Sequence, residues 1–353
     1  MQLSAHSSRP LRVAIIGAGQ VAEKVHAAYY ATRRDVTLVA VVDTDAQRAA
    51  DFATRNNIPH SYTDAGEMYR LAMPDAVSIC SPNRFHCEQV LQALQHGCHV
   101  MCEKPPAMLP HEALAMAEAA ERVDRVLAYD FHHRFADDCR LLRQKVAEGM
   151  LGEVYVTHAR ALRRCGVPGW GVFIDKAQQG GGPLIDIGIH MLDAAMYVLG
   201  FPRVTRVSAH QFCKIGNRKS NGLFGSWQPE KYTVEDALFA TLELEQGGIL
   251  RLDTSFALNI PEESVMNVQF CGADAGATLF PAHIYTDEGG KLLTLYQRQE
   301  ADSLRHHKSM KAFVDRALGL GGEGLADGRQ GYAIQQLVAA IYQAAERGES
   351  VTL

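Results

Sequence analysis

Two polar side chains in the middle of the chain are spaced to work together. Asp186 and His190 stand four residues apart in Gly180-Gly181-Gly182-Pro183-Leu184-Ile185-Asp186-Ile187-Gly188-Ile189-His190. On a helix that spacing puts them on one face. A carboxylate beside an imidazole, whose ordinary pKa is about 6.5, can move a proton at neutral pH. The same pair also suits a solvated helix face. Lys104 lies between Glu103 and Pro105-Pro106. There it would bring positive charge to a developing oxyanion, or stand solvated beside Glu103. Upstream, Gly17-Ala18-Gly19-Gln20-Val21-Ala22 has the G-x-G-x-x-A pattern, and Asp43 follows 21 residues after Ala22. That combination binds a dinucleotide. Gly17 allows the tight turn, Gly19 lets a pyrophosphate reach the backbone, and Ala22 permits close helix–strand packing.

Recognisable elements must position these groups. Leu11–Ile16 is a short apolar run of the kind buried in a parallel sheet. The glycine turn follows at once, and a helical pattern continues to about Tyr30, so phosphates would meet a helix N-terminus. Val36–Val42 is the second strand, with Asp43 at its C-terminal end. A carboxylate there accepts bonds from ribose hydroxyls and repels a 2′-phosphate. The next basic residue, Arg48, is not adjacent in sequence, which favours NAD over NADP. The βα alternation continues through strands at Ala76–Cys80, Cys98–Cys102 and Arg125–Asp130, giving a doubly wound parallel sheet. Ligands bind at the carboxyl ends of such strands. Ser81, Asn83 and His86 after one strand, and Glu103 and Lys104 after another, therefore border the expected cofactor, with Gly17, Gly19, Gln20, Val21 and Asp43. His86 suits a helix face equally well.

Past residue 130 the pattern changes. A helix at Asp137–Glu148 precedes a long strand at Glu153–Arg163. The 180–199 stretch reads as a helix with Pro183 in its first turn and Gly200 as its stop. Strands are expected near 203–213, 234–245, 248–259, 264–272 and 292–298. Some are joined by short glycine-rich turns such as Gln246-Gly247-Gly248, as in an antiparallel sheet. Helices near 302–318 and 327–346 close the chain, and 214–231 reads as a long surface loop or arm. The fold expected is α/β: a Rossmann domain over 10–131, then an α+β domain over 132–353 built on a large, mostly antiparallel open sheet.

The 353 residues are 47% hydrophobic and 21% charged, with formal net charge -5, the composition of a soluble globular protein. No basic excess points to nucleic acid or a membrane surface. The first ten residues lack the apolar core of a secretory signal, and no run reads as a membrane span. The expected compartment is the cytoplasm, where the eight cysteines stay reduced. His96, Cys98, His99 and Cys102 resemble a zinc cluster, but in a strand the two thiols stand roughly 13 Å apart. No metal site is expected there.

Five strings occur together and in order: Gly17-Ala-Gly19-Gln-Val-Ala22, Ser81-Pro82-Asn83-x-x-His86, Cys102-Glu103-Lys104-Pro105, Gly180-Gly-Gly182-x-x-x-Asp186-x-Gly188-x-His190 and Val234-Glu235-Asp236. With them the chain resembles the Gfo/Idh/MocA oxidoreductases over nearly its whole length. Strings such as Ala161-Leu-Arg-Arg-Cys-Gly-Val-Pro-Gly-Trp170-Gly-Val-Phe173 are similar to bacterial NAD-dependent dehydrogenases that oxidise glucosides at the 3-hydroxyl. The resemblance implies NAD as cofactor, a sugar substrate, and a homodimer or homotetramer joined through the second domain's sheet. It implies a cis peptide before Pro105. It also implies that Lys104 serves both nicotinamide and substrate, facing Asp186 and His190. On this expectation His190 is the base, Asp186 orients the sugar, Lys104 steadies the oxyanion, and no metal is needed. Arg163 and Trp170 are candidate sugar contacts, as are His132, His133 and Arg164. The glycines before Asp186 would give the sugar room to approach. Oxidation of an inositol, glycoside cleavage through transient 3-oxidation, and non-catalytic sugar sensing are the alternatives.

Overall fold

A computed structural model describes residues 9–299 and 304–353. The chain divides into two compact units. Among the described residues, one comprises 9–130 with 306–332, the other 131–299 with 304–305 and 333–353. The expected boundary near 131 is therefore a crossing point that the chain passes again. Residues 306–332, expected in the second domain, return to the first unit.

In the first unit, β1 (Leu11–Ile16), β2 (Val36–Val42), β3 (Ser61–Tyr62), β4 (Ala76–Ile79), β5 (His99–Cys102) and β6 (Leu127–Tyr129) form one parallel sheet. Its order is β6-β5-β4-β1-β2-β3, and Ala326–Asp327 adds an antiparallel strand beside β6. The strands are apolar because helices cover both faces. Val13, Ile15, Val41 and Ala76 lie in the core with Tyr30 and Phe52. Met310, Phe313 and Val314 of the returning helix Arg305–Ala317 complete that core. Aspartates cap two of the helices: Asp45 accepts from the Arg48 N–H and Asp64 from the Glu67 N–H.

In the second unit, β7 (Val154–Arg163) and β8 (Val204–Phe212) are followed by the short pair β9 (Asn221–Gly222) and β10 (Gly225–Ser226). Then come β11 (Ala237–Leu244), β12 (Ile249–Ser255), β13 (Ser264–Gly272), β14 (Gly276–Thr278), β15 (His283–Glu288) and β16 (Lys291–Gln297). The large sheet has nine strands in the order β16-β15-β14-β13-β7-β12-β11-β8, ending in Val351–Thr352. Every pairing is antiparallel except β7 with β12. The sheet is thus mostly antiparallel, as expected; β14 and β15 are strands that were not expected from the sequence. The 214–231 segment is a loop carrying the β9–β10 pair and a short 3-10 turn over Pro229–Lys231.

Across this sheet runs the helix Ile189–Leu199, preceded by a π-helical turn over Leu184–Gly188 and stopped by Gly200 in the left-handed conformation. The run Lys176–Leu199 is long and apolar enough to cross a membrane, yet 89% of its most apolar window is buried in the structure. It is a core helix, apolar nearly all round because neighbours surround it.

Candidate active site

The first unit gathers its functional residues where β1, β2, β4 and β5 end. Gly17 follows β1 at φ +95°, and a Cβ there would lie 2.7 Å from the Cys80 carbonyl oxygen. Only glycine fits. Gly19 differs: a Cβ on it would meet nothing within 4 Å. The space above it is open, as backbone approach by a pyrophosphate requires. Gln20 and Val21 begin the following helix, whose first-turn N–H groups have no intrahelical partner and point outward. Asp43 accepts from the Ala18 N–H at 2.9 Å and from the Asp45 N–H at 3.0 Å, so it fixes the turn it serves. Arg48, five residues on, reaches Asp43 at 3.4 Å through a largely exposed side chain. These residues fit an NAD adenosine half: a glycine cradle, a helix N-terminus and a carboxylate for ribose.

After β4, Ser81 donates its hydroxyl to Gln89 at 2.6 Å, and Asn83 is buried. The His86 ring is fully buried, with Nδ1 at 2.8 Å from the Pro105 oxygen and Nε2 at 3.0 Å from the Ser81 oxygen. Burial lowers its pKa, while the two carbonyls act in the opposite sense. His86 thus ties together the loops that follow β4 and β5. The Lys104–Pro105 peptide between those loops is cis. Glu103, beside Lys104, is held by the fully buried His26, whose other nitrogen meets Ser78 at 3.0 Å. Tyr30 contacts the same Ser78 at 2.7 Å.

In the second unit, Asp186 lies in the π-helical turn and His190 in the first turn of the helix after it. Arg163, at the end of β7, brings its guanidinium to 3.8 Å from Asp186. Burial pulls the Arg163 pKa down and the nearby carboxylate supports its charge. Its guanidinium lies 5.0 Å from the Phe224 ring, whose centroid is 5.8 Å from that of Trp170. Phe224 belongs to the 214–231 segment, so that arm adds an aromatic link between the two expected sugar contacts. Arg164 points away, donating to the Glu262 oxygen at 3.1 Å.

The glycines before Asp186 have a packing role. A Cβ on Gly181 would fall 1.9 Å from the Tyr342 hydroxyl, and one on Gly182 2.6 Å from the Glu235 oxygen. The room expected for a sugar is thus filled by protein. Glu235 organises this turn: it accepts from the Gly182 N–H at 3.0 Å, the Leu184 N–H at 3.4 Å and the Tyr342 hydroxyl at 2.9 Å. Burial raises its pKa, against the lowering effect of those donors. Thr254 of β12 adds a bond to the Pro183 oxygen at 3.0 Å. A second clamp holds the helix itself. Arg134 and Asp193, both fully buried, form a two-pronged pair at 2.7 and 2.5 Å. Arg134 lies in a short 3-10 turn, His132–Phe135, with His132 and His133, whose rings lie 4.7 and 5.1 Å from the His190 ring.

Comparison with known proteins settles the family. Residues 11–131 match the model described as oxidoreductase family, NAD-binding Rossmann fold. Residues 143–353 match its companion, the oxidoreductase family C-terminal alpha/beta domain. The chain belongs to the Gfo/Idh/MocA oxidoreductase family. It is 62% identical over 350 residues to a D-glucoside 3-dehydrogenase of Escherichia coli (strain K12), with 99% of each chain covered. It is 31% identical over 256 residues to a 1,5-anhydro-D-fructose reductase of Ensifer adhaerens, with 71% of each covered. In fold it is similar to levoglucosan dehydrogenase complexed with NADH, at TM-score 0.82 and 19% identity, covering 98% of this chain and 99% of that one. The Gfo/Idh/MocA fold accordingly supplies an NAD-binding unit and a second α/β unit.

Several residues escaped the sequence reading: His26, Arg134, Asp193, Phe224 and Tyr342. Their partners are distant in the chain, so no local spacing marks them. The Glu235-Asp236 string did carry a signal, and the structure gives it a cause. Glu235 brackets the glycine turn, while Asp236 accepts backbone bonds from Lys214, Ile215 and Gly216 and anchors the base of the arm.

Proposed function

We propose that this protein is an NAD-dependent dehydrogenase that oxidises the 3-hydroxyl of D-glucosides to the 3-keto sugar. The observation that carries the proposal is the 62% identity, over 99% of both chains, to a D-glucoside 3-dehydrogenase. When bound, NAD accepts the hydride from the sugar carbon. The chain's own residues handle the proton and the charge. His190 takes the hydroxyl proton. Asp186 accepts from a neighbouring hydroxyl and holds the ring in register, with Arg163 at 3.8 Å donating to the same region. Lys104 supplies the cation that favours the alkoxide over the alcohol. Glu103, fixed by His26, keeps the Lys104 loop in place. Gln20 and Val21 present the helix N-terminus to the pyrophosphate, and Asp43 receives the ribose. Trp170 and Phe224 offer ring faces to sugar C–H groups or to an aglycone. In the same proposal the chain assembles as a homodimer or homotetramer through the large sheet.

The test is NADH formation, followed by absorbance, with methyl and aryl D-glucosides and with inositols. Steady NADH accumulation with glucosides is the expected result, and faster turnover of an inositol would overturn the substrate assignment. Release of aglycone without net NADH would mark a glycosidase. His190→Ala should lower kcat at least 100-fold, the ordinary worth of a positioned base. Near-normal turnover of that variant at neutral pH would remove His190 from its role.

A further inference from the structure

We propose that His132, His133 and His190 form a binding site for one zinc-type divalent cation, and that its occupation switches the enzyme off by capturing the His190 ring. One ligand nitrogen from each of the three rings lies within 4.8 Å of the other two. Zinc binds histidine nitrogen at about 2.0–2.1 Å in tetrahedral geometry, which sets converged nitrogens roughly 3.4 Å apart. The difference, at most about 1.4 Å between nitrogens, is what side-chain rotation would have to close on binding. The ring planes are tilted 35°, 53° and 60° to one another, fanned as rings around a common centre are.

The surroundings favour the same ligand. All three histidines are more than nine-tenths buried. Phe131 packs against His190 and Phe280 against His133. A set of imidazoles alone selects zinc, copper or nickel over magnesium or calcium. Three protein ligands leave one position open, to be filled by water or a substrate hydroxyl. The Arg134–Asp193 pair fixes the 132–135 turn against the helix of His190, so the donors are brought together before any cation arrives. Hydride transfer to NAD needs no metal, so the cation acts as an inhibitor and not a cofactor. Inhibition rests on the proposed role of His190 as base; binding does not.

The protein, stripped with EDTA and then freed of chelator, is titrated with Co²⁺ by visible absorption and with Zn²⁺ by calorimetry, alongside NADH formation from a glucoside. The expected result is one cation per chain, a ligand-field band without a thiolate charge-transfer band, and a loss of turnover of at least tenfold that EDTA reverses. His132→Gln and His133→Gln should each weaken Zn²⁺ binding at least tenfold by calorimetry, a readout independent of their activity. Undiminished binding in both variants, with melting temperatures near the parent's, would overturn the site. So would a thiolate band, which would place the cation on cysteines. Binding at the three histidines with undiminished turnover would overturn the switch and the role of His190 as base, leaving the glucoside assignment standing.

Discussion

Replacing Asp193 with asparagine tests the clamp under the candidate base. The Arg134–Asp193 pair is fully buried on both sides, with two contacts at 2.7 and 2.5 Å. Asparagine preserves the shape but removes the charge, and its amide would set an N–H against a guanidinium N–H. Breaking one side of a buried pair costs about 3–5 kcal/mol, because the remaining charge stays out of water. Against a total stability of about 5–15 kcal/mol that is a large share. For a unit of this size each kcal/mol moves the melting temperature by about 2–4 °C, so the expected fall is about 6–20 °C. Scanning calorimetry reads it directly, and urea unfolding should show a lower midpoint at unchanged slope. Removing both charges, as Asp193→Leu with Arg134→Met, should recover much of the loss, since an apolar pair of similar volume is often neutral. The rings of Tyr197 and Phe201, 5.0 and 5.1 Å from the Arg134 guanidinium, supply the apolar walls. Turnover should nevertheless stay low in the double variant, because the fixed relation between the 132–135 turn and the His190 helix is lost. A melting temperature for Asp193→Asn within 2 °C of the parent would refute the reasoning.

Four further outcomes follow from other parts of the structure. Gly19→Ala places its methyl in open space, so NADH binding measured by fluorescence should weaken at least tenfold with no change in melting. Gly17→Ala meets the Cys80 carbonyl at φ +95° and should lose stability as well, by about 1–3 kcal/mol. Asp43→Ser removes the carboxylate that repels a 2′-phosphate and loosens Arg48, 3.4 Å away, which keeps its pairing with Asp45 at 3.5 Å. The ratio of kcat/KM for NADP over NAD should rise at least tenfold, and an unchanged ratio would remove Asp43 from cofactor choice. Glu235 is expected to give a pH signature. Its pKa is raised on folding from 4.5, so its contribution is full below that value and is lost as pH climbs through the folded-state value. The stability deficit of Glu235→Gln relative to the parent should therefore shrink from pH 4.5 toward pH 7 in thermal melts. A deficit that grows over that range would show that the carboxylate gains from being ionised.

What the sequence could reveal depends on how locally each feature is written. β1, the glycine turn and Asp43 form a contiguous grammar, because a parallel strand buried on both faces must be apolar and only glycine tolerates the turn that follows. Asp186 and His190 share a helical spacing in the sequence, although the helix opens in a π-helical turn that spacing does not reveal. The buried partners were not readable. Arg134 meets Asp193, and His26 meets Glu103, across long stretches of chain. Burial turns these otherwise unremarkable charged residues into fixed supports. The glycines at 181 and 182 were visible but misassigned, because their need comes from Tyr342 and Glu235 and not from a ligand. Short strands such as β14, and Ala326–Asp327, hold too few residues to show alternation.

The returning segment 306–332 has a consequence for synthesis. Residues up to 130 leave the ribosome well before Met310, Phe313 and Val314, which complete their core. At ordinary elongation rates that interval is roughly 10–40 s. During it, the helix site on the first sheet remains an apolar face without its cover. The nascent chain is then a substrate for chaperones, and a fragment ended near residue 131 would keep that face open permanently. The dinucleotide-binding unit is first in the sequence but among the last parts of the protein to close.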